Sequence, residues 1–117
     1  MSYDLAVWEG ERPADDAAAA QCFSDLYDRF IDTEEPATPP TERIVAFVAG
    51  LLERWPDLTE DEDSPWSTGP LIGEARGPLL YFPMSWSRAD EASVYAAELA
   101  ASMSLNCFDP QARRMRP

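Results

Sequence analysis

The first residues of the chain, SYDLAVWEG, alternate in the manner of a strand. Tyr3, Leu5 and Val7 fall on one side, Asp4 and Ala6 on the other, and Trp8 closes the segment, a period of two. Gly10 and Pro13 end it. The period then lengthens. Phe23, Leu26, Tyr27, Phe30 and Ile31 make one apolar stripe at 3.6-residue spacing, which predicts a helix over 14–32. Asp15 and Asp16 sit in its first turn, where the helix dipole favours negative charge, and Ala17–Ala20 add propensity. The link EEPATPP, with three prolines, breaks the pattern. Ile44, Val45, Val48, Leu51, Leu52 and Trp55 restore it and predict a second helix over about 40–54, stopped by Pro56. Gly50 within that helix costs about 1 kcal/mol against alanine, so it marks a place where a neighbour packs close.

TEDEDSPWSTG (Thr59–Gly69) has no periodicity and reads as a loop. Residues 70–87 read as two strands around a turn at Glu74–Gly77. The second, Leu79–Trp86, is the most apolar segment of the chain, and Pro83 inside it points to a bulge or a sheet edge. Ser87-Arg88-Ala89-Asp90 has the spacing of a capping box and opens a third helix to about 103, with Tyr95, Ala96, Leu99 and Met103 on its buried face. LNCFDP (105–110) is a short strand ended by an Asp-Pro turn, and QARRMRP is a tail that pairs back or frays. The order β-α-α-β-β-α-β predicts one α+β domain over 1–117. Its expected form is a mixed sheet of about four strands with helices on one face, a split β-α-β (ferredoxin-like) variant whose first crossover holds two helices.

Charge changes this picture from a generic small domain to an asymmetric one. The 117 residues carry 22 acidic side chains against 9 basic ones, a net charge of −13. All the basic residues are arginine; lysine and histidine are absent. Residues 1–63 hold 17 acids and 4 arginines and carry the entire excess, whereas residues 64–117 hold 5 of each. Phosphates and anionic lipid surfaces both require a basic face, so neither nucleic acid nor membrane is an expected partner. A basic partner protein is, because an acidic patch speeds and orients that encounter. No apolar run is long enough to span a bilayer, and the N-terminus lacks the basic and apolar regions of a signal peptide; both features point to the cytoplasm. Cys22 and Cys107 read as two small buried hydrophobes.

Missing residue types narrow the chemistry. Without histidine the commonest general base is absent, and a serine or cysteine nucleophile has no partner. Without lysine there is neither a Schiff base nor a P-loop. Two cysteines without CxxC spacing build no zinc site. Carboxylates remain, but none sits in the apolar setting that glycosidase chemistry requires. An EF-hand register beginning at Asp57 places Asp57, Thr59, Asp61 and Asp63 at the ligand positions. It fails at position 6, which is Glu62 instead of glycine, and at position 12, which is Thr68 instead of glutamate. The expectation is therefore no enzyme and no cofactor. Instead, a partner-binding patch is expected at Asp57, Glu60, Asp61, Glu62, Asp63 and Trp66, an aromatic anchor with an acidic rim. The alternatives are a small-molecule or divalent-cation-binding domain and, less directly, a nucleic-acid mimic that occupies a DNA-binding protein. Trp8 and Trp86 each close a strand and read as core or core edge.

The opening Tyr3-Asp4-Leu5-Ala6-Val7-Trp8 resembles a group of small, mostly uncharacterised bacterial proteins that begin YDLxVW. The resemblance continues through RWPDL (Arg54–Leu58), SPW (Ser64–Trp66), Tyr81-Phe82, the SRADEA helix start and the terminal CFDPQ. In size and acidity that group is similar to immunity proteins, which neutralise bacterial toxins by binding them. By that analogy the resemblance implies a toxin inhibitor; it assigns no functional residue.

Overall fold

The computed structural model describes residues 2–116. The elements follow the predicted order with one addition: β1 (Ser2–Trp8), α1 (Asp16–Phe30), α2 (Glu42–Arg54), β2 (Ala75–Arg76), β3 (Leu79–Ser85), α3 (Ala89–Ser102), β4 (Asn106–Asp109) and β5 (Arg114–Met115). The chain is α+β. The five strands lie in the order β2-β3-β1-β4-β5, and every neighbouring pair is antiparallel. The first four strands have the split β-α-β order. The sheet is not mixed, because the two parallel pairs, β1 with β2 and β3 with β4, are each separated by an interposed strand. The tail pairs back, and β5 is the fifth strand.

The helices do not share one face. Leu5 and Val7 of β1 and Leu80, Phe82 and Met84 of β3 meet Ile44, Phe47, Val48 and Leu51 of α2 and the alanines of α3. Ala6, Trp8, Leu79 and Phe108 point the other way and meet α1 through Ala19, Cys22, Phe23, Leu26 and Ile31. The cause lies in β1 itself. Its last four residues are all buried, so both faces of the central strand are apolar and both require cover. The two thiols are free, and they lie in clusters on opposite faces of the sheet.

Local chemistry explains the boundaries. The side chains of Asp15 and Thr41 accept the N–H groups of Ala18 and Ile44 and cap α1 and α2. The capping box expected at Ser87 does not form. Trp86–Arg88 is a 3-10 turn, Arg88 is the N-cap residue of α3, and no side chain caps that helix. The buried face of α3 is Ala89, Ala92, Ser93, Ala96, Ala97 and Ala100, whereas Tyr95, Leu99 and Met103 are half-buried at its margin. Small residues let α3 lie close to α2: a Cβ on Gly50 would stand 2.7 Å from Leu99 Cδ2, the close approach that its glycine implied. Val45 faces outward instead of joining the buried stripe, and Phe47 takes that place. The first predicted hairpin strand, ahead of Glu74, is not strand: Leu71–Glu74 is a 3-10 turn, and the short strand Ala75–Arg76 falls where the turn was expected.

Pro83 is accommodated at an edge. β2 pairs with only the first two residues of β3. Beyond them the outer side of β3 is lined by the SPW segment, with Ser67 N–H donating to Pro83 O at 3.2 Å and Ser85 N–H to Pro65 O at 2.7 Å. Since N and O of one strand residue point the same way, the ring nitrogen of Pro83 faces this outer side and removes no hydrogen bond from the β1 ladder. Among the described residues no helix is long and apolar enough to cross a membrane.

Candidate functional site

The acidic loop is built by its own carboxylates. Asp57 accepts the N–H of Leu71 at 2.7 Å through its side chain, and its carbonyl accepts Glu60 and Asp61 N–H at 2.9 and 3.0 Å. Asp61 Oδ1 accepts Asp63 N–H at 3.0 Å, and Ser64 Oγ accepts Trp66 N–H at 3.2 Å. These are Asx- and Ser-type turns, in which the side chain replaces a missing backbone partner. Asp57 and Asp61 therefore shape the loop, while Glu60, Glu62 and Asp63 present exposed carboxylates.

Trp66 cannot be the surface anchor, because its exposure is 0%. It bridges to Met84 beside β3, and its indole N–H donates to Trp55 O at 2.9 Å. A large ring with one donor is best placed in a core that supplies an acceptor, and the bent backbone after Arg54 supplies one. An aromatic chain with ring centroids 5.6–6.5 Å apart runs inward from the surface: Tyr95, Trp55, Trp66, Phe82, Phe47.

The outer end of that chain is where an aromatic surface and an acidic rim do meet. Arg54, Trp55, Asp90, Glu91, Val94, Tyr95 and Glu98 line an open groove of about 510 Å³ between the C-terminal end of α2 and the outer side of α3. The Arg54 guanidinium carbon lies 4.2 Å from the Trp55 ring centroid and that of Arg88 5.7 Å away. Arg88 also pairs with Glu91 at 2.6 Å and donates to the carbonyl of Asp63, so it fastens the acidic loop to the rim of the groove. Asp90 and Glu98 are exposed and pair with no cation among the described residues. Asp90, Val94 and Glu98 recur every four residues and form one ridge of α3. Val94 is 49% exposed, and Trp86, in the turn just before α3, is 55% exposed and rests against Tyr3 at 5.4 Å. Trp86 is therefore not core. It closes β3 at a position where the chain turns away from the sheet.

Sequence reasoning placed the acidic half of this site at Glu60–Asp63 and missed the aromatic half and the α3 acids. Trp55 carried a readable signal, since it ends the α2 stripe at the point where Pro56 stops the helix. Asp90–Val94–Glu98 was legible only as helical spacing, because its outward direction depends on where the sheet lies.

A second polar constellation is of a different kind. Asp109 is 2% exposed and accepts four donors: Tyr3 OH, Gln111 Nε2 at 2.8 Å, Ala112 N–H at 3.1 Å and Arg116 at 3.4 Å. Burial pushes its carboxyl up, but the three hydrogen bonds and the Arg116 charge outweigh burial and hold it below the ordinary carboxylate range. Arg116 also reaches Ser93 Oγ at 3.1 Å, and its N–H donates to Cys107 O at 2.8 Å. Burial raises the Cys107 thiol to about 12, which leaves it a poor nucleophile. A saturated buried carboxylate is a tie, not a proton donor, and this one fastens β5 to β4 and α3. No three Asp, Glu or Cys side chains among the described residues converge closely enough to hold a metal ion, and in the 57–63 segment, whose EF-hand register already fails at two positions, Asp57 and Asp61 are committed to backbone N–H groups. The chain matches no protein-family profile, no curated protein and no solved structure.

Proposed function

We propose that this chain is a non-catalytic binding domain that docks a basic partner protein on the outer side of α3. Trp86, Val94 and the Trp55 groove would supply apolar contact; Asp90, Glu98, Glu60, Glu62 and Asp63 would supply charge. The observation that carries this reading is Trp86. An indole left more than half exposed in the turn that opens α3, a helix whose Asp90 and Glu98 pair with no cation among the described residues, offers the aromatic and acidic elements of an interface anchor and rim. Its narrower form follows the resemblance to immunity-type proteins: the basic partner is a toxin whose active surface the acidic ridge covers. The cytoplasm would then be the place of action.

The test is retention of a basic protein at low and moderate salt, followed by association kinetics. Replacing Asp90 and Glu98 with Asn and Gln should slow association and flatten its salt dependence, because rim charge acts mainly on the encounter. Trp86→Ala should speed dissociation. Rates unchanged in both variants would move the interface elsewhere. For the narrower form, co-expression should protect cells from the retained partner, and a partner that is harmless alone would rule it out.

A further inference from the structure

The face of the sheet opposite the proposed partner surface is covered by a single helix. A helix with its side chains is about 10 Å across, about two strand spacings of ~4.8 Å, so α1 cannot close over five strands. The space left beside α1, toward β4 and β5, is a crevice of about 460 Å³, within the range of small-ligand sites. Phe23 and Phe108 line it as an aromatic floor, with ring centroids 5.8 Å apart, and Ala17 and Ala20 leave the room. The polar groups that meet there are the Gln21 amide, the Ser24 hydroxyl and the Arg113 guanidinium.

Like Arg12, Arg29, Arg54 and Arg114, Arg113 forms no ion pair and no side-chain hydrogen bond among the described residues, and neither does the Ser24 hydroxyl. The residue also stands at φ +54°, in the left-handed region where glycine is the unstrained choice. An arginine there places a cation at the mouth of an aromatic crevice at the expense of backbone comfort. Asp16 accepts the N–H of Met115 at 3.0 Å and Asp25 accepts the Gln21 amide at 2.9 Å, so the Gln21 N–H is already donated. Arg113 is the one cation among the described residues of the lining.

We infer that this crevice binds a small amphipathic anion, an apolar ring system bearing one carboxylate. The ring would lie on Phe23 and Phe108, with its charge held by Arg113 and Ser24. No covalent step is involved, and the site is separate from the α3 surface.

The test uses 2-naphthoate as probe and 2-naphthamide as its neutral counterpart, with binding followed by amide NMR shifts of the whole chain. Naphthoate should titrate to saturation with the largest shifts at Gln21, Ser24 and Ala112, and naphthamide should bind about tenfold or more weakly, the size of one charge-assisted hydrogen bond. Arg113→Gly removes the cation at a backbone position that suits glycine, so the fold should hold. That variant should weaken naphthoate about tenfold and leave naphthamide unchanged. Ala17→Phe, at an exposed position of α1, should fill the crevice and abolish both. Absence of saturable shifts, equal affinity for the two probes, or naphthoate binding indifferent to Arg113→Gly would each overturn the inference.

Discussion

The two faces of one sheet are built to different standards. On the α2/α3 side, two helices with four and six buried residues close over Leu5, Val7, Phe82 and Met84, and Trp66 fills the gap beneath the acidic loop. On the α1 side one helix buries a single residue completely, Ala19, and the rest of its stripe is half-buried. The difference follows from widths. Two helices span a five-stranded sheet and one does not, so the first face becomes a dry core and the second keeps crevices. Stability should therefore reside mainly on the first face, and local opening should favour the second.

The sharpest way to break this comparison is Trp66→Ala, which leaves a large void and an unpaired Trp55 carbonyl. It should destabilise by about 3–5 kcal/mol in urea unfolding; a loss below about 1 kcal/mol would mean the loop, not the core, holds that ring. Next is Asp109→Asn, which should cost about 2 kcal/mol at neutral pH, the range for hydrogen bonds to a charged group. Because the folded carboxyl titrates below its ordinary value, its contribution is fully present above the unfolded value, 3.8, and is lost as pH falls through the lower folded one. The gap between wild type and variant should thus close below about pH 3.8. A gap constant with pH would deny the charge its role.

On the thin face, Phe23→Ala should cost only about 1–2 kcal/mol, since a half-buried ring forfeits about half the area term. In hydrogen exchange, α1 amides should lose protection before those of α2 and α3. Equal protection of all three helices would erase the distinction between the faces. The smallest effect belongs to Trp86→Ala, within about 0.5 kcal/mol of wild-type stability as for other exposed positions. A large loss there would make Trp86 structural and remove the main support for the partner surface.

The periodicities alone determined α1, α2 and β1, but not the 3-10 turns at Leu71–Glu74 and Trp86–Arg88. Phe23–Ile31, Ile44–Trp55 and the alternation of β1 depend on local spacing, and local spacing survives in one dimension. Composition likewise bounded the chemistry, because a residue type that is absent cannot be supplied by folding. Tertiary structure decided the direction of each face. Whether Trp66 or Trp86 meets water depends on which strand lies alongside: Trp66 bridges to Met84 and is enclosed, whereas Trp86 lies past the end of β3, where no strand covers it. The same holds for α1, whose stripe was plain in the sequence. Its placement opposite α2 and α3 followed only when Ala6, Trp8, Leu79 and Phe108 met on the far side of the sheet, because a strand exposes its second face to whatever its neighbours bring to it.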